Sequence, residues 1–300
     1  MKIKSLATAI LLGLGISAGT NAHESHAAFT PKANVVKPVL QQVDGYYRFM
    51  LGDFEVTAIY DGYLDIGNDI YAKFTNLSKE ELNKLIENEF RPLTETGGVN
   101  TAVSAYLINT GKNLILVDAG SGDVFGDKVG FVEANLKKAG YKPEQAFWYA
   151  TPIEKIPAHV QQYVQWTKDA VAPYEKAGKV FYYDSGVEVI PGVKSVKSFG
   201  HTPGHAGFEF ESKGEKLFVW GDLLHNHAFQ LAVPEVAAEF DVNAEGAREA
   251  RLRLLPELAK NKTWIAGAHL PFPGIGHIRA EEKGGYSWVP VEYTPIEVKK

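Results

Sequence analysis

The sequence predicts an α/β sandwich, in which two β-sheets pack face to face and helices cover their outer surfaces. Strand-like segments come in two batches along the chain, and helical stretches follow each batch. This order fits two packed sheets better than a strictly alternating parallel fold. The chain has 300 residues, of which 45% are hydrophobic, so it can bury a large core.

The N-terminus has the pattern of a secretory signal peptide. Two lysines precede an apolar run from Leu6 to Ile16, and small residues follow up to Ala22. The run is too short to span a bilayer permanently, and a buried N-terminal helix is the alternative. We expect residues 1–22 to be cleaved after export to the periplasm or the medium, leaving no membrane attachment.

Residues 23–45 are polar and interrupted by proline, which predicts a flexible arm before a single domain at 46–300. The domain opens at Tyr46–Asp61, which reads as two strands around the turn Leu51-Gly52-Asp53. Gly62 and Gly67 then break the pattern.

A helix and a hairpin complete the first batch. Ser78 and Glu81 have the spacing of a capping box, and the helix that they begin should end near Phe90. Strands at Thr101–Asn109 and Asn113–Val117 are joined by a short turn.

Two helical stretches separate the batches. Lys128–Ala139 has helical spacing and stops at Gly140. Ile156–Ala177 is long and amphipathic, with Pro157 and Pro173 expected to interrupt it.

The second batch consists of short strands ahead of one helix. The strands are expected at Val180–Tyr183, Val187–Ile190, Val193–Lys197, Gly207–Glu211 and Lys216–Trp220. A helix at Ala244–Ala259, bent or restarted at Pro256, precedes a strand at Thr263–Ala266. The tail, Leu270–Tyr293, is rich in Gly, Pro and aromatic residues and shows no clear period.

Charge and cysteine content exclude several classes of partner and site. The net charge is −5 and the pI is about 6.0, so neither nucleic acid nor an anionic membrane finds a basic surface. The run Arg248–Arg253 reads as a mixed-charge, solvated helix face. There is no cysteine, so any metal must be held by histidine and carboxylate ligands.

Several candidate metal ligands follow predicted strands directly. Asp118, Asp222 and His269 each come after an apolar strand, and His201 and His205 lie in a turn rich in Gly and Pro. Side chains at strand ends can converge on one cleft, and imidazole with carboxylate suits a divalent metal. The alternative is ordinary loop histidines and turn aspartates.

Four motifs in order resemble the metallo-β-lactamase superfamily: a strand with VDAG, then GHTPGH, then a strand with WGDLLH, then GAHLPFPGIGHIR. The closing segment is similar to the methyl parathion hydrolase branch, whose relatives include lactone-hydrolysing enzymes. The resemblance implies an αββα sandwich and a pair of zinc ions that activates a shared water. It also implies hydrolysis of a small-molecule ester, lactone or phosphotriester.

The same resemblance implies roles for individual residues. His201 would bind the first metal, Asp222 would bridge both metals as the catalytic carboxylate, and His269 would bind the second. Asp118 would support the site, and His205 would orient His201 or the loop, or be purely structural. Residues of packing or substrate-pocket type are His225, Phe272 and His277.

One part of the family pattern is missing. The His-x-His-x-Asp-His run that supplies four metal ligands should lie between Asp118 and His201, where the only histidine is His159. His225-Asn226-His227 is no replacement, because it follows Asp222 directly and lacks the Asp-His continuation. We therefore expect a segment to be absent near residues 145–146, and with it an inner strand and the main metal-binding loop.

The lost ligands reduce the expected zinc content from two ions to one or none. The sequence thus predicts an exported metal-dependent hydrolase by descent, and leaves open whether this chain is itself active. The alternatives are a non-catalytic binding protein and a deletion product without its own function. The oligomeric state stays open, with a homodimer as one alternative.

Overall fold

Two β-sheets lie face to face at the centre of the protein. The computed structural model describes residues 38–142, 161–180 and 182–296, and Val43 opens the compact unit that holds both sheets. The predicted signal peptide, most of the predicted arm and the junction at residues 145–146 lie outside the described residues.

The first sheet has four antiparallel strands in the order β1-β2-β3-β4. The strand β2 continues through Gly62, where the sequence predicted a break, because a register shift between Tyr60 and Gly62 absorbs the irregularity as a bulge. The strands are β1 Tyr46–Leu51, β2 Phe54–Gly67, β3 Gly98–Asn109 and β4 Leu114–Val117.

Within the described ranges the second sheet has seven strands in the order β11-β10-β9-β8-β7-β6-β5, and among these only the pair β8–β9 is parallel. The strands are β5 Glu188–Ile190, β6 Val193–Lys197, β7 Ala206–Ser212, β8 Glu215–Val219, β9 Trp264–Ala266, β10 Ile275–Ala280 and β11 Tyr286–Pro290. The strand predicted at Val180–Tyr183 is wrong for the described residues 180, 182 and 183. The tail instead contributes β10 and β11.

The helices begin close to where the sequence signals placed them. The capping box at Ser78 and Glu81 is present at the start of α2, which confirms that prediction. The third helix begins at Val132 rather than Lys128, because Lys128–Phe131 forms a turn held by Asp61. The helices are α1 Asp69–Ala72, α2 Lys79–Asn88, α3 Val132–Lys138, α4 Gln161–Lys176, α5 His227–Gln230 and α6 Ala244–Asn261.

Two prolines stand inside helices without ending them. The helix α4 continues through Pro173 and α6 through Pro256, so the predicted interruption at Pro173 and the predicted restart at Pro256 are wrong, whereas a bend at Pro256 stays a prediction. Pro157 lies outside the described residues. A proline removes one intrahelical hydrogen bond, and the packing of Leu254, Leu255 and Leu258 on the second sheet outweighs that loss in α6. None of the described helices is long and apolar enough to cross a membrane.

The core is layered as the αββα prediction requires. Side chains of both sheets meet between them, including Val56 and Tyr106 from the first sheet and Phe210 and Leu217 from the second. The helix α3 covers the outer face of the first sheet, and α6 covers that of the second.

Arg251 on α6 corrects the reading of Arg248–Arg253 as a solvated face. Its side chain is 1% exposed and donates to the carbonyl oxygens of Pro234, Leu223 and Val236 at 2.8, 3.1 and 2.7 Å. The guanidinium group of Arg251 is therefore buried, and its hydrogen bonds hold the segment between β8 and α6 in place.

The strand β4 is an edge of the first sheet within the described residues. A groove of about 190 Å³ runs between this edge and the β5–β6 end of the second sheet, with Ile115, Ile190 and Phe208 in its walls. An inner strand missing after β4 would have bordered this groove. Its absence stays a prediction.

Candidate metal centre

The parallel pair β8–β9 brings Asp222 and His269 together. Val219 and Ala266 are paired in register at the ends of these strands, and Asp222 and His269 each follow three residues later. Because parallel strands end at the same edge of a sheet, both side chains emerge at one place. The Asp222 Oδ1 to His269 Nε2 distance is 3.2 Å.

The loop between β6 and β7 brings His201 to the same edge. Both β6 and β8 run antiparallel to β7, so their C-terminal ends lie on one side of the sheet. Gly200 has a φ of +140°, and a Cβ there would lie 2.0 Å from the backbone nitrogen of Ala247. Glycine thus allows the loop to pack closely against the start of α6.

Three imidazoles surround the Asp222 carboxylate. His201 Nε2 lies 3.1 Å and His225 Nε2 lies 3.8 Å from Asp222 Oδ2, while His269 Nε2 faces Oδ1. The ring of His225 stacks on that of His269, with centroids 4.7 Å apart, and tilts against that of His201 at 4.9 Å. The predicted ligands His201, Asp222 and His269 therefore share one cluster.

The Nδ1 atoms of two of these histidines are held by acceptors. His201 Nδ1 lies 3.1 Å from Asp241 Oδ1, and His269 Nδ1 lies 2.9 Å from the carbonyl oxygen of Ala102. A carboxylate and a carbonyl only accept, so Nδ1 carries a proton in both rings, and Nε2 is the nitrogen that a metal ion would take in exchange for the proton it shares with Asp222. This arrangement is typical of metal-binding histidines.

His205 uses both ring nitrogens within the protein. Its Nδ1 lies 2.9 Å from the carbonyl oxygen of Ser198, and its Nε2 accepts the backbone N–H of Asp222 at 2.9 Å. It therefore positions the backbone at Asp222 and ties it to the β6–β7 loop. Its pKa is lowered, chiefly by burial.

The charges in the cluster depend on one another. Burial would raise the pKa of Asp222, but His269 and His201 hold it well below its usual range. Burial would likewise lower the pKa of His201, and the carboxylates of Asp222 and Asp241 outweigh it and raise that pKa to about 10. Asp222 also raises the pKa of His269 against the effect of burial.

His225 behaves differently from its two neighbours. Burial lowers its pKa to about 4, so the ring is neutral at physiological pH. Its side chain is among the buried polar groups, and Nδ1 has no hydrogen-bond partner among the described residues. The sequence predicts a packing or substrate-pocket role for His225 and does not mark it as a metal ligand.

Asp241 is a member of the cluster that sequence reasoning missed. It is 5% exposed, binds His201 through Oδ1 and accepts the N–H of Ala238 through Oδ2. It stands 40 residues after His201 in a loop, and no motif marks it. Only the tertiary fold reveals the pairing.

Two of the remaining predicted pocket residues lie apart from these contacts. His277 on β10 bonds the carbonyl oxygen of Thr263 and packs on Trp264. Phe272 contacts Tyr60 edge-on and precedes a cis peptide bond to Pro273.

Asp118 remains close to the cluster. Its Oδ1 accepts the N–H groups of Ala119 and Gly120 at 2.6 and 2.8 Å, which shapes the turn after β4. Desolvation and the negative charge of Asp222 raise its pKa.

Among the described residues, two groups of three donors could hold a divalent metal ion. One consists of Asp222, His225 and His269, and the other of His201, His225 and Asp241, with the donor atoms of each group within 4.8 Å of one another. Imidazole nitrogen and carboxylate oxygen are suitable ligands for zinc. The residues present therefore fit a metal ion.

Comparison with protein-family models and with curated protein sequences gave no match. Solved structures do match. The crystal structure of the hydrolase AbOPH in the β-lactamase superfamily is 32% identical, with a TM-score of 0.78, over 85% of this chain and 100% of that chain. AidC, a dizinc quorum-quenching lactonase in complex with a product, is 23% identical, with a TM-score of 0.74, over 84% and 99%.

An N-acyl homoserine lactone hydrolase with N-hexanoyl-L-homoserine bound at its catalytic metal centre matches more distantly. It is 17% identical, with a TM-score of 0.53, over 75% of this chain and 100% of that chain. The two more distant structures support the fold alone, whereas the identity and full coverage of AbOPH support common descent. This chain belongs to the metallo-β-lactamase superfamily.

Proposed function

We propose that this chain is a metal-dependent hydrolase of a small-molecule ester, lactone or phosphotriester, with its metal centre at Asp222. One observation carries the proposal. The Nε2 atoms of His201 and His269 face the two oxygens of the Asp222 carboxylate at 3.1 and 3.2 Å. The Nδ1 atoms of the same rings are hydrogen-bonded to the Asp241 carboxylate and to the Ala102 carbonyl oxygen, respectively.

The cluster has the chemistry that zinc requires. Its donors are nitrogen and oxygen, as they must be in a chain without cysteine. His225 leaves a ring nitrogen without a partner among the described residues. A bound divalent ion supplies acidity for a coordinated water and polarises the carbonyl or phosphoryl oxygen of the substrate.

The residues of the chain itself hold this centre in shape. Asp222 stays ionised at neutral pH because its neighbours hold its pKa well below the usual range. His205 fixes the backbone of Asp222, and Asp241 fixes the ring of His201. The 32% identical relative AbOPH is a hydrolase, which supports a hydrolytic reaction, whereas the choice of ester, lactone or phosphotriester rests on the resemblance of the sequence motifs.

A substrate panel tests the proposal. The purified protein, stripped with a chelator and then supplied with zinc, should hydrolyse at least one of an N-acyl homoserine lactone, an aryl ester and an aryl phosphotriester. Stripping should abolish the activity of the parent protein. The Asp222→Asn variant should stay inactive even after zinc is supplied. A zinc-loaded, folded protein that is inert toward all three classes would refute the proposal.

The missing His-x-His-x-Asp-His run favours a second candidate. With fewer donors than the family pattern, the chain could be a non-catalytic binding protein, or the product of a deletion near residues 145–146. Sequencing the genomic DNA around the codons for Gln145 and Ala146 separates these cases. Codons for the motif in that DNA would make the longer protein the active enzyme.

We also propose export, on the basis of the signal-peptide pattern in residues 1–22. Fractionation of expressing cells tests this, together with the N-terminal sequence of the mature protein. A mature chain beginning after Ala22 in the periplasm or the medium is the expected result, and an uncleaved chain in the cytoplasm contradicts it.

A further inference from the structure

The buried side chain of His225 lacks a full set of hydrogen-bond partners among the described residues. The residue is 5% exposed, Nδ1 has no hydrogen-bond partner among the described residues, and Nε2 lies 3.8 Å from Asp222 Oδ2. That distance is too long for a hydrogen bond. Nε2 is therefore not hydrogen-bonded to Asp222, and it is the ring nitrogen that a metal ion at Asp222 would use.

The backbone around His225 holds the ring in place. Gln230 Oε1 accepts the N–H groups of both His225 and Asn226 at 2.7 and 2.9 Å, and Gln230 is itself buried. The ring is packed between those of His201 and His269 and lies against Phe240. The side chain is therefore preorganised with Nε2 directed toward Asp222.

The separations fit a single metal ion. Ligand bonds of about 2.0–2.1 Å in a tetrahedral site place donor atoms about 3.3 Å apart. His269 Nε2 lies 3.2 Å from Asp222 Oδ1, His225 Nε2 lies 3.8 Å from Oδ2, and the donor atoms of the three residues all lie within 4.8 Å of one another. These separations are close to, and somewhat wider than, those of a tetrahedral donor set.

His225 also belongs to both possible three-donor groups, so an ion in either group takes His225 as a ligand. The group with Asp241 is the weaker of the two, because Asp241 Oδ2 already accepts a backbone N–H from outside the group, that of Ala238 at 3.0 Å. One neutral imidazole nitrogen binds one ion, so the two groups cannot be filled together.

We propose that His225 is a metal ligand of this chain, and that it holds one divalent ion together with Asp222 and His269. It thereby supplies an imidazole in place of those that the chain lacks from the His-x-His-x-Asp-His run. Three protein ligands leave a coordination position open, as catalytic zinc sites do. The inference deepens the proposed function and rests on the same cluster, in which His201 is not a ligand of this ion but contacts Asp222 Oδ2 and Asp241 Oδ1 at 3.1 Å each.

Metal binding, rather than activity, tests this inference. The chelator-stripped protein is dialysed against zinc, and bound ions are counted by elemental analysis. We expect one ion per chain, and at least a tenfold weaker affinity in His225→Gln. The control is His227→Gln, which changes a buried histidine two residues away that belongs to neither donor group, and it should bind zinc as the parent does.

X-ray absorption at the zinc edge of the unaltered protein gives a second readout that does not depend on the folding of a variant. It should show two or more imidazoles around each ion. Two ions per chain, no bound ion, a single imidazole, or an undiminished affinity in a folded His225→Gln would overturn the inference. One bound ion whose affinity falls in His225→Gln, in a protein that hydrolyses none of the substrates, would contradict the proposed hydrolase activity but would still support His225 as a metal ligand.

Discussion

The Nε2 atom of His205 accepts a hydrogen bond from the backbone N–H of Asp222 at 2.9 Å. The same ring donates to the carbonyl oxygen of Ser198, so a single imidazole links the end of β6 to the end of β8. Through this link the loop that carries His201 and the turn that carries Asp222 keep a fixed separation.

Replacing His205 should loosen the centre without removing a ligand. We expect His205→Ala to lower both zinc affinity and kcat about 10- to 100-fold, as losses behind metal ligands do. His205→Gln should recover part of both, since its amide oxygen can accept the Asp222 N–H. Steady-state kinetics and zinc titration measure the two effects. Equal behaviour of the two variants would argue against a positioning role.

Asp241 should control the protonation of His201 in the metal-free protein. Its carboxylate contributes to raising the His201 pKa to about 10, so Asp241→Asn should lower that pKa. An NMR titration of the imidazole signals measures the change directly. A His201 pKa that stays at the parent value would show that Asp222 alone sets it.

His227 should make the protein less stable in acid. Burial lowers its pKa to about 3 from an ordinary value of 6.5, so the unfolded chain binds a proton that the folded chain does not. Stability is therefore lost as the pH falls from 6.5 toward 3, by up to about 1.4 kcal/mol per pH unit for this one group.

Urea unfolding of the parent and of His227→Gln at several pH values between 4 and 7 measures this contribution. The parent free energy of unfolding should fall more steeply with acid than that of the variant. Identical slopes would mean that His227 does not titrate differently in the two states.

Arg251 should be essential for the stability of the segment that carries His225. Arg251→Met keeps the aliphatic bulk but removes the donor from the buried carbonyl oxygens of Pro234 and Leu223, and removes one of the two donors to that of Val236, which Gln230 also bonds. We expect a loss of about 3 kcal/mol or more in the free energy of unfolding. Arg248→Met, on the same helix but in a partly exposed ion pair with Glu245, should change it by about 1 kcal/mol or less.

Local signals explain the parts of the fold that the sequence predicted well. The capping box at Ser78 and Glu81 and the hairpins around β3–β4 and β7–β8 depend on residues a few positions apart. The strands β10 and β11 were not predicted, because their Gly- and Pro-rich segments become strands only by pairing, as Gly276 does with Pro290. That pairing is a property of the sheet.

The site shows the same division. Asp222 and His269 could be named because each follows an apolar strand, and the parallel register of those strands then brings them together. Asp241 could not be predicted as part of the site, because it is distant in sequence from His201. His225 could be predicted only as a packing or substrate-pocket residue, because no sequence signal marks it as a metal ligand. Their roles follow from burial and ring contacts, which only the folded chain provides.

Anomalous diffraction at the zinc edge, from a crystal of the protein grown with zinc, tests the metal centre most directly. A single peak bounded by Asp222, His225 and His269 is the predicted result. Two peaks in the cluster, a peak elsewhere in the molecule, or none at a zinc concentration that supports turnover would contradict it.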